Sequence, residues 1–133
     1  MKRFLIVMGG LFAGSVVICS AGLAFFANAL TQSDPYPTFM TDYQVSGPRS
    51  YEEAKRTFSD FVAKTFPIGS DENESLAQVT RGGFQVAASN SKSVELVWKR
   101  HAGPCSELYT IVVSGDVDGR IAKIIGQLQP ICL

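Results

Sequence analysis

The sequence is poor in the residues from which catalytic and metal sites are usually built. It contains one histidine, His101, and three cysteines. It has no CxxC or HExxH motif, no phosphate-binding loop and no GxSxG-type nucleophile elbow. We therefore assign no catalytic, cofactor-binding or metal-binding residue, and we expect the protein not to be an enzyme.

An excess of positive charge is also missing. The chain has 12 basic and 12 acidic residues. Without Lys2 and Arg3, ten basic and twelve acidic residues remain, a net charge of −2. Proteins that bind nucleic acid or anionic lipid usually carry clustered lysine and arginine, and no such cluster occurs here. We therefore expect no nucleic-acid partner.

The N-terminal region has no charged residue between Arg3 and Asp34. Residues 4–27 are apolar or small and follow two basic residues, and Ala27 and Ala29 form a small-x-small cleavage site. This layout predicts that residues 1–30 are a signal peptide or membrane anchor. As a helix, residues 4–27 would be about 36 Å long, enough to cross a membrane. Cleavage after Ala29 and retention as an anchor both remain open.

Either alternative places the rest of the chain on the periplasmic or extracellular side of the cytoplasmic membrane, because Lys2 and Arg3 keep the N-terminus in the cytoplasm. Residues 31–49 show no sustained period, which favours a linker. Scattered aromatic residues leave open that part of this linker docks on the domain. Residues 50–133 then form one exported α+β domain.

Two helices are predicted at the start of this domain. Ser50 and Glu53 form a capping box, and apolar residues recur at helical spacing up to Pro67, which predicts a helix over 50–65. Ser70 is the expected N-cap of a second helix over 70–81. The expected core residues of helices and strands are Tyr51, Phe58, Phe61, Val62, Leu76, Val79, Leu96, Trp98, Tyr109, Ile111 and Val113.

The hydrophobic period changes to two after Gly83. Alternating segments separated by turn residues predict an antiparallel meander, with a hairpin at Asp118 and Gly119. The expected fold is α+β, with an N-terminal signal or anchor helix and two helices packed on a three- to four-stranded antiparallel β-meander.

The last hairpin predicts a disulfide bond. With a two-residue loop at Asp118 and Gly119, Cys105 lies directly opposite Cys132. A three-residue loop would shift this pairing by one residue. Two cysteines in an oxidising compartment usually form a disulfide bond. The alternative is a reactive Cys105 thiol with His101 four residues before it.

The alternation also predicts a candidate interaction face. Residues expected to point away from the helices are Glu95, Val97, Lys99, Thr110 and Val112. A mixed polar and apolar face of this kind suits contact with another protein. The sequence therefore favours a small exported or membrane-anchored envelope protein that binds another envelope protein. The alternative is a small periplasmic enzyme that uses His101 or Cys105.

Gly69 and Ser70 before an apolar helix that contains Leu76, followed by Gly82 and Gly83, resemble a known group. Together with the element order of residues 50–129, they resemble the small periplasmic modules of the SmpA/OmlA and β-lactamase-inhibitor-like group. Members of the lipoprotein branch carry a lipobox, where this chain has Ile18 before Cys19. The resemblance implies protein–protein interaction at an envelope and assigns no functional residue.

Overall fold

The computed structural model describes residues 33–46, 50–103 and 105–132. The signal peptide or anchor predicted over residues 1–30 lies outside these residues, as does Cys19. In the part that is described, no helix has the length and apolar character needed to cross a membrane. The described chain contains three α-helices, one 3₁₀ turn and four strands, which confirms the α+β class.

The strands form one antiparallel sheet in the order β1-β2-β3-β4, which confirms the meander. They are β1 (Gln85–Ser89), β2 (Val94–Ala102), β3 (Cys105–Gly115) and β4 (Ile121–Cys132). Directly opposed residues share a face of the sheet. We call the inner face the side that carries Leu96, Ile111 and Gly126. The outer face is the side that carries Val97, Thr110 and Gln127.

The helices are α1 (Thr41–Ser46), α2 (Tyr51–Thr65) and α3 (Glu72–Arg81). The predicted cap of α2 is present, since the Ser50 hydroxyl accepts from the Glu53 amide at 3.2 Å. The predicted cap of α3 is wrong. Asp71 is the N-cap and accepts from the Glu74 amide at 2.8 Å. The reason is that the Ser70 carbonyl accepts from the Ile121 amide, which keeps the chain extended before the helix begins.

The segment predicted as a linker is partly folded into the domain. Thr38–Met40 form the 3₁₀ turn and lead directly into α1. Met40 and Tyr43 are fully or almost fully buried in the core. Part of the predicted linker therefore docks on the domain, the alternative that its aromatic residues left open, and apolar burial holds a helix of six residues that would not be stable alone.

The hairpin between β3 and β4 differs from the predicted two-residue loop. The Asp116 amide donates to the Arg120 carbonyl at 2.8 Å, so Val117, Asp118 and Gly119 form a three-residue loop. Gly119 has φ +73°, a conformation that favours glycine. This is the three-residue alternative, which shifts the pairing by one residue at the turn.

A β-bulge next to the turn reverses this shift. Gly115 pairs with Ile121, but Ser114 pairs with Lys123, so Ala122 is an additional residue of β4. The remaining pairs keep the predicted register down to Cys105 and Cys132. The predicted register of the hairpin is therefore right although the predicted loop is wrong.

The core lies between the helices and the inner face. Seven of the predicted core residues are buried: Phe58, Val62, Val79, Leu96, Tyr109, Ile111 and Val113. Phe61, Leu76 and Trp98 pack against the core and are half-buried. Tyr51 is 38% exposed, so its assignment to the core is wrong. It occupies the first position of α2, where the helix begins at the surface.

Close approach of α2 to the sheet depends on Gly126 of β4. A Cβ atom at this position would lie 2.7 Å from Val62 Cγ2 and 3.3 Å from the Phe58 carbonyl oxygen. Such contacts are too short for packed atoms, so a larger residue would push the helix away from the sheet. This contact places α2 against the inner face of the sheet.

Tyr43→Ala should lower the free energy of unfolding by about 3–5 kcal/mol, because it removes a buried aromatic ring that the core cannot refill. Urea unfolding of the purified protein measures the change. Gln44→Ala is the matched control, because Gln44 is the exposed next residue of the same helix. A loss below about 1 kcal/mol for Tyr43→Ala would show that residues 33–46 do not contribute to the core.

Candidate interaction face

The five predicted interaction residues lie together on the outer face. Val97 is directly opposite Thr110, and Glu95 is directly opposite Val112. Lys99 follows two residues after Val97 on the same strand and therefore has the same orientation. The structure brings these residues side by side on β2 and β3, and their role in binding stays a prediction.

Sequence analysis missed further apolar residues on this face. Leu108 lies opposite Lys99, and Ile125 of β4 lies opposite Val112. The alternation that selected Thr110 and Val112 also includes Leu108. Ile125 follows from the hairpin register. Four aliphatic side chains therefore lie on the outer face of three neighbouring strands: Val97, Leu108, Val112 and Ile125.

The two faces of the sheet differ in exposure. Inner-face residues at the centre of β3 are completely or almost completely buried, as are Leu96 and Leu128 on its neighbours. On the outer face, Val97, Leu108, Val112 and Ile125 are only half-buried. Towards the open end of the hairpin, Ile131 is 47% exposed. The outer face therefore offers aliphatic area that a partner could cover.

The inner face carries a buried ion pair near the end of β2. The Arg100 guanidinium Nη1 lies 2.9 Å from Glu107 Oε2, with side chains 13% and 11% exposed. The same guanidinium donates from Nε to the Asp34 carbonyl at 2.8 Å and lies 4.1 Å above the Tyr36 ring. These contacts fix the start of the described chain to the sheet. They engage Nε and Nη1 of Arg100 within the fold, so the ion pair has a structural role.

Two tyrosines extend this polar cluster into the core. The Tyr109 hydroxyl donates to Glu107 Oε2 at 2.9 Å, and the Tyr36 hydroxyl lies 3.2 Å from the Tyr109 hydroxyl. Since the single Tyr109 proton goes to the carboxylate, Tyr36 is the donor to Tyr109. Burial raises the pKa of Tyr109 above its usual value. Burial also raises the pKa of Tyr43 to about 12.

The candidate enzymatic residues His101 and Cys105 are not brought together. His101 lies in β2, where its amide donates to the Asp34 carboxylate at 2.7 Å and its carbonyl accepts from the Asp34 amide at 2.9 Å. It is directly opposite Ser106, while Cys105 is opposite Ala102. Alternation along the strands therefore directs the two side chains to opposite faces of the sheet. This arrangement does not favour a pair of thiolate and imidazole.

Cys105 lies at the start of β3 and takes part in a disulfide bond. The directly opposed residue in the register of β3 and β4 is Cys132. The Cys132 side chain lies outside the described part of the structure, so the pairing of these two cysteines stays a prediction that the register supports.

No group of three or more His, Cys, Asp or Glu side chains that could hold a metal ion occurs within residues 33–46, 50–103 and 105–132. An open groove of about 530 Å³ runs along β4 beside Lys55, and Leu108, Gln127 and Gln129 line part of it. Its lining combines outer-face residues with the edge of the sheet and adds no charged group besides Lys55.

Comparison of the chain with protein-family models, curated proteins and solved structures gave no match. The resemblance to SmpA/OmlA-type modules therefore stays a prediction.

We expect no alkylatable thiol at Cys105 or Cys132 in the exported protein under non-reducing conditions, because the register places these residues opposite each other. Alkylation followed by mass spectrometry makes the measurement, and the reduced protein is the control. The bond closes a loop of about 28 residues and should contribute about 3–4 kcal/mol in the chain-entropy model. Two alkylated cysteines without reduction would contradict the pairing.

The stability of the domain should fall as the pH rises from about 10 to about 12. Over this range the unfolded chain loses the Tyr43 proton, whereas the folded chain keeps it because its pKa is raised. Urea unfolding at several pH values measures the effect. Tyr43→Phe should show a shallower decline than the wild type, once the two are normalised at pH 8. Equal slopes for the two proteins would contradict the raised pKa.

Proposed function

We propose that this chain is an exported or membrane-anchored envelope module without catalytic activity. It binds another protein at the envelope through the outer face of its sheet. The observation that carries this proposal is the row of half-buried aliphatic residues on that face: Val97, Leu108, Val112 and Ile125.

The helices contribute to the proposal by packing on the other face. Val62 and Phe58 of α2 approach Gly126, and Tyr43 of α1 packs against Tyr109, both on the inner face. The aliphatic residues of the outer face are therefore not required for the core. A sheet with one solvated face usually carries polar residues there. Aliphatic residues on three adjacent strands are more typical of a contact surface.

The polar residues of the outer face suit a modest protein contact. Glu95 and Lys99 flank Val97 on β2, and Thr110 lies beside it on β3. Protein interfaces commonly surround an apolar centre with a polar rim that gives specificity. Anchoring through residues 4–27, if they are retained, would concentrate the module at the membrane and favour weak contacts with other envelope proteins.

Val97→Glu should abolish capture of envelope partners in a crosslinking pull-down from intact membranes, because it places a charge in the apolar centre. Val86→Glu is the matched control, since Val86 is exposed but pairs with Leu96 and belongs to the inner-face side of β1. Thermal unfolding of both variants shows whether they remain folded.

His101→Ala separates this proposal from the enzymatic alternative. It should leave partner capture largely unchanged, because His101 lies opposite Ser106, beyond the four aliphatic residues of the outer face. An activity that persists without partners and is lost in His101→Ala would contradict the proposal. Equal partner capture by Val97→Glu and by the wild type would contradict it as well.

A further inference from the structure

On the β2 part of the outer face, the charged residues on the two sides of Val97 have opposite signs. On β2, Glu95 and Lys99 lie two residues before and two residues after Val97. A strand rises about 3.3 Å per residue, so the two charged residues are about 13 Å apart along the strand and do not neutralise each other. Neither forms a salt bridge within the part of the chain that the structure describes.

On the neighbouring strand β3, the outer-face residues have the same chemical order in both directions: aliphatic, threonine, aliphatic. On β3, Val112 lies opposite Glu95, Thr110 opposite Val97, and Leu108 opposite Lys99. Reversal of the strand direction therefore exchanges one aliphatic residue for another and leaves the threonine in place. On β2 the same reversal exchanges an acid for a base. The part of the outer face that β2 and β3 form is therefore complementary to a second copy of itself.

We propose that the outer face binds a second copy of this chain about a two-fold axis that passes over Val97 and Thr110. The axis lies between the two sheets and runs across the strands, so β2 of one copy lies antiparallel over β2 of the other. This inference rests on the proposed function, because it uses the same face and specifies the partner.

The two-fold axis determines which residues meet. Glu95 of each copy faces Lys99 of the other, which forms two equivalent ion pairs. Val97 meets Val97, and Val112 of each copy meets Leu108 of the other. A two-fold interface requires this reciprocal pairing, since the same patch serves both partners. Packed sheets are about 10 Å apart, a gap that glutamate and lysine side chains can bridge.

The face is a better site for self-association than the β4 edge of the sheet. The edge strand β4 carries Lys123 and Pro130. Charged residues and proline on an edge strand discourage pairing with another strand. On the outer face, β4 contributes Gln127, which lies opposite Thr110 and therefore close to the axis. Its amide would meet the same amide of the second copy and add a polar rim.

Exchange of the charges tests the proposal. Two differently tagged copies of the full chain are expressed together and co-purified from whole-cell extracts that contain both the soluble and the membrane fraction. Glu95→Lys copies should associate with each other about tenfold less than wild-type copies, because each contact then joins two lysines. Lys99→Glu copies should lose association to the same extent, because each contact joins two glutamates.

The mixture of the two variants is the decisive measurement. A Glu95→Lys copy and a Lys99→Glu copy place lysine against glutamate at both contacts, so their association should return to the wild-type level. The double variant Glu95→Lys/Lys99→Glu should also associate with itself. Recovery in the mixture shows at the same time that each single variant is folded. Lys64→Glu on α2 is the control and should leave association unchanged, because Lys64 is exposed on the helical side.

Absence of co-purification of wild-type copies would overturn the inference. So would equal association of all variants, or failure of the mixture to recover. These results are distinguishable from failure of the proposed function. If Val97→Glu loses a different envelope protein while wild-type copies do not associate, the binding face stands and its partner is not a second copy.

Discussion

The buried ring and hydroxyl of Tyr109 join the three parts of this domain. Its ring packs edge-on against Phe58 of α2, with ring centroids 4.9 Å apart. Its hydroxyl connects Glu107 on its own strand to Tyr36 in the segment before α1. A polar group inside a core stabilises the fold only when its partners are all in place. The helix layer, the sheet and the segment before α1 that contains Tyr36 therefore depend on one another.

This dependence explains why Arg100 lies where it does. Glu107 is buried and would destabilise the core without a cation beside it. Arg100 supplies that charge from the directly opposed position on β2. Its Nε group also donates to the Asp34 carbonyl, and the guanidinium lies over the Tyr36 ring. One ion pair thus fixes the start of the domain as well as the end of the sheet.

Local patterns were sufficient to predict the larger elements. The capping box at Ser50 and the period of apolar residues predicted α2, and alternation predicted the four strands. The 3₁₀ turn and α1 were missed because Pro35 and Pro37 suggest a linker, and because six residues are too few to show a helical period. Burial of Met40 and Tyr43 determines their structure, and burial is a property of the complete fold.

Two differences arise where one part of the backbone pairs with another. Helix α3 begins at Glu72 because Ser70 and Gly69 bond to Ile121 near the hairpin turn. The loop of the hairpin has three residues, and the bulge at Ala122 compensates for the third. The local sequence allows both alternatives in each case, because Asp71 is as favourable an N-cap as Ser70 and Gly119 also suits a three-residue loop. The predicted opposition of Cys105 and Cys132 is confirmed, because the third loop residue and the bulge at Ala122 cancel in the register.

The outer face could be predicted only in part, because alternation within a strand is local whereas the alignment of strands is not. Alternation is local, so Glu95, Val97, Lys99, Thr110 and Val112 were found together. Ile125 belongs to another strand and depends on the register across the hairpin. The alignment of Glu95 with Val112 and of Lys99 with Leu108 is visible only once that register between β2 and β3 is known.

Glu95 and Lys99 lie beside half-buried aliphatic side chains of the neighbouring strand, Val112 and Leu108. A flat apolar face would associate with many surfaces, because burial of apolar area has no direction. Charges of opposite sign on either side of Val97 restrict the choice, since a wrong orientation brings like charges together. The single orientation that joins acid to base is the antiparallel one. In the proposed two-fold contact, the same two residues would keep the isolated face hydrated and select the partner that covers it.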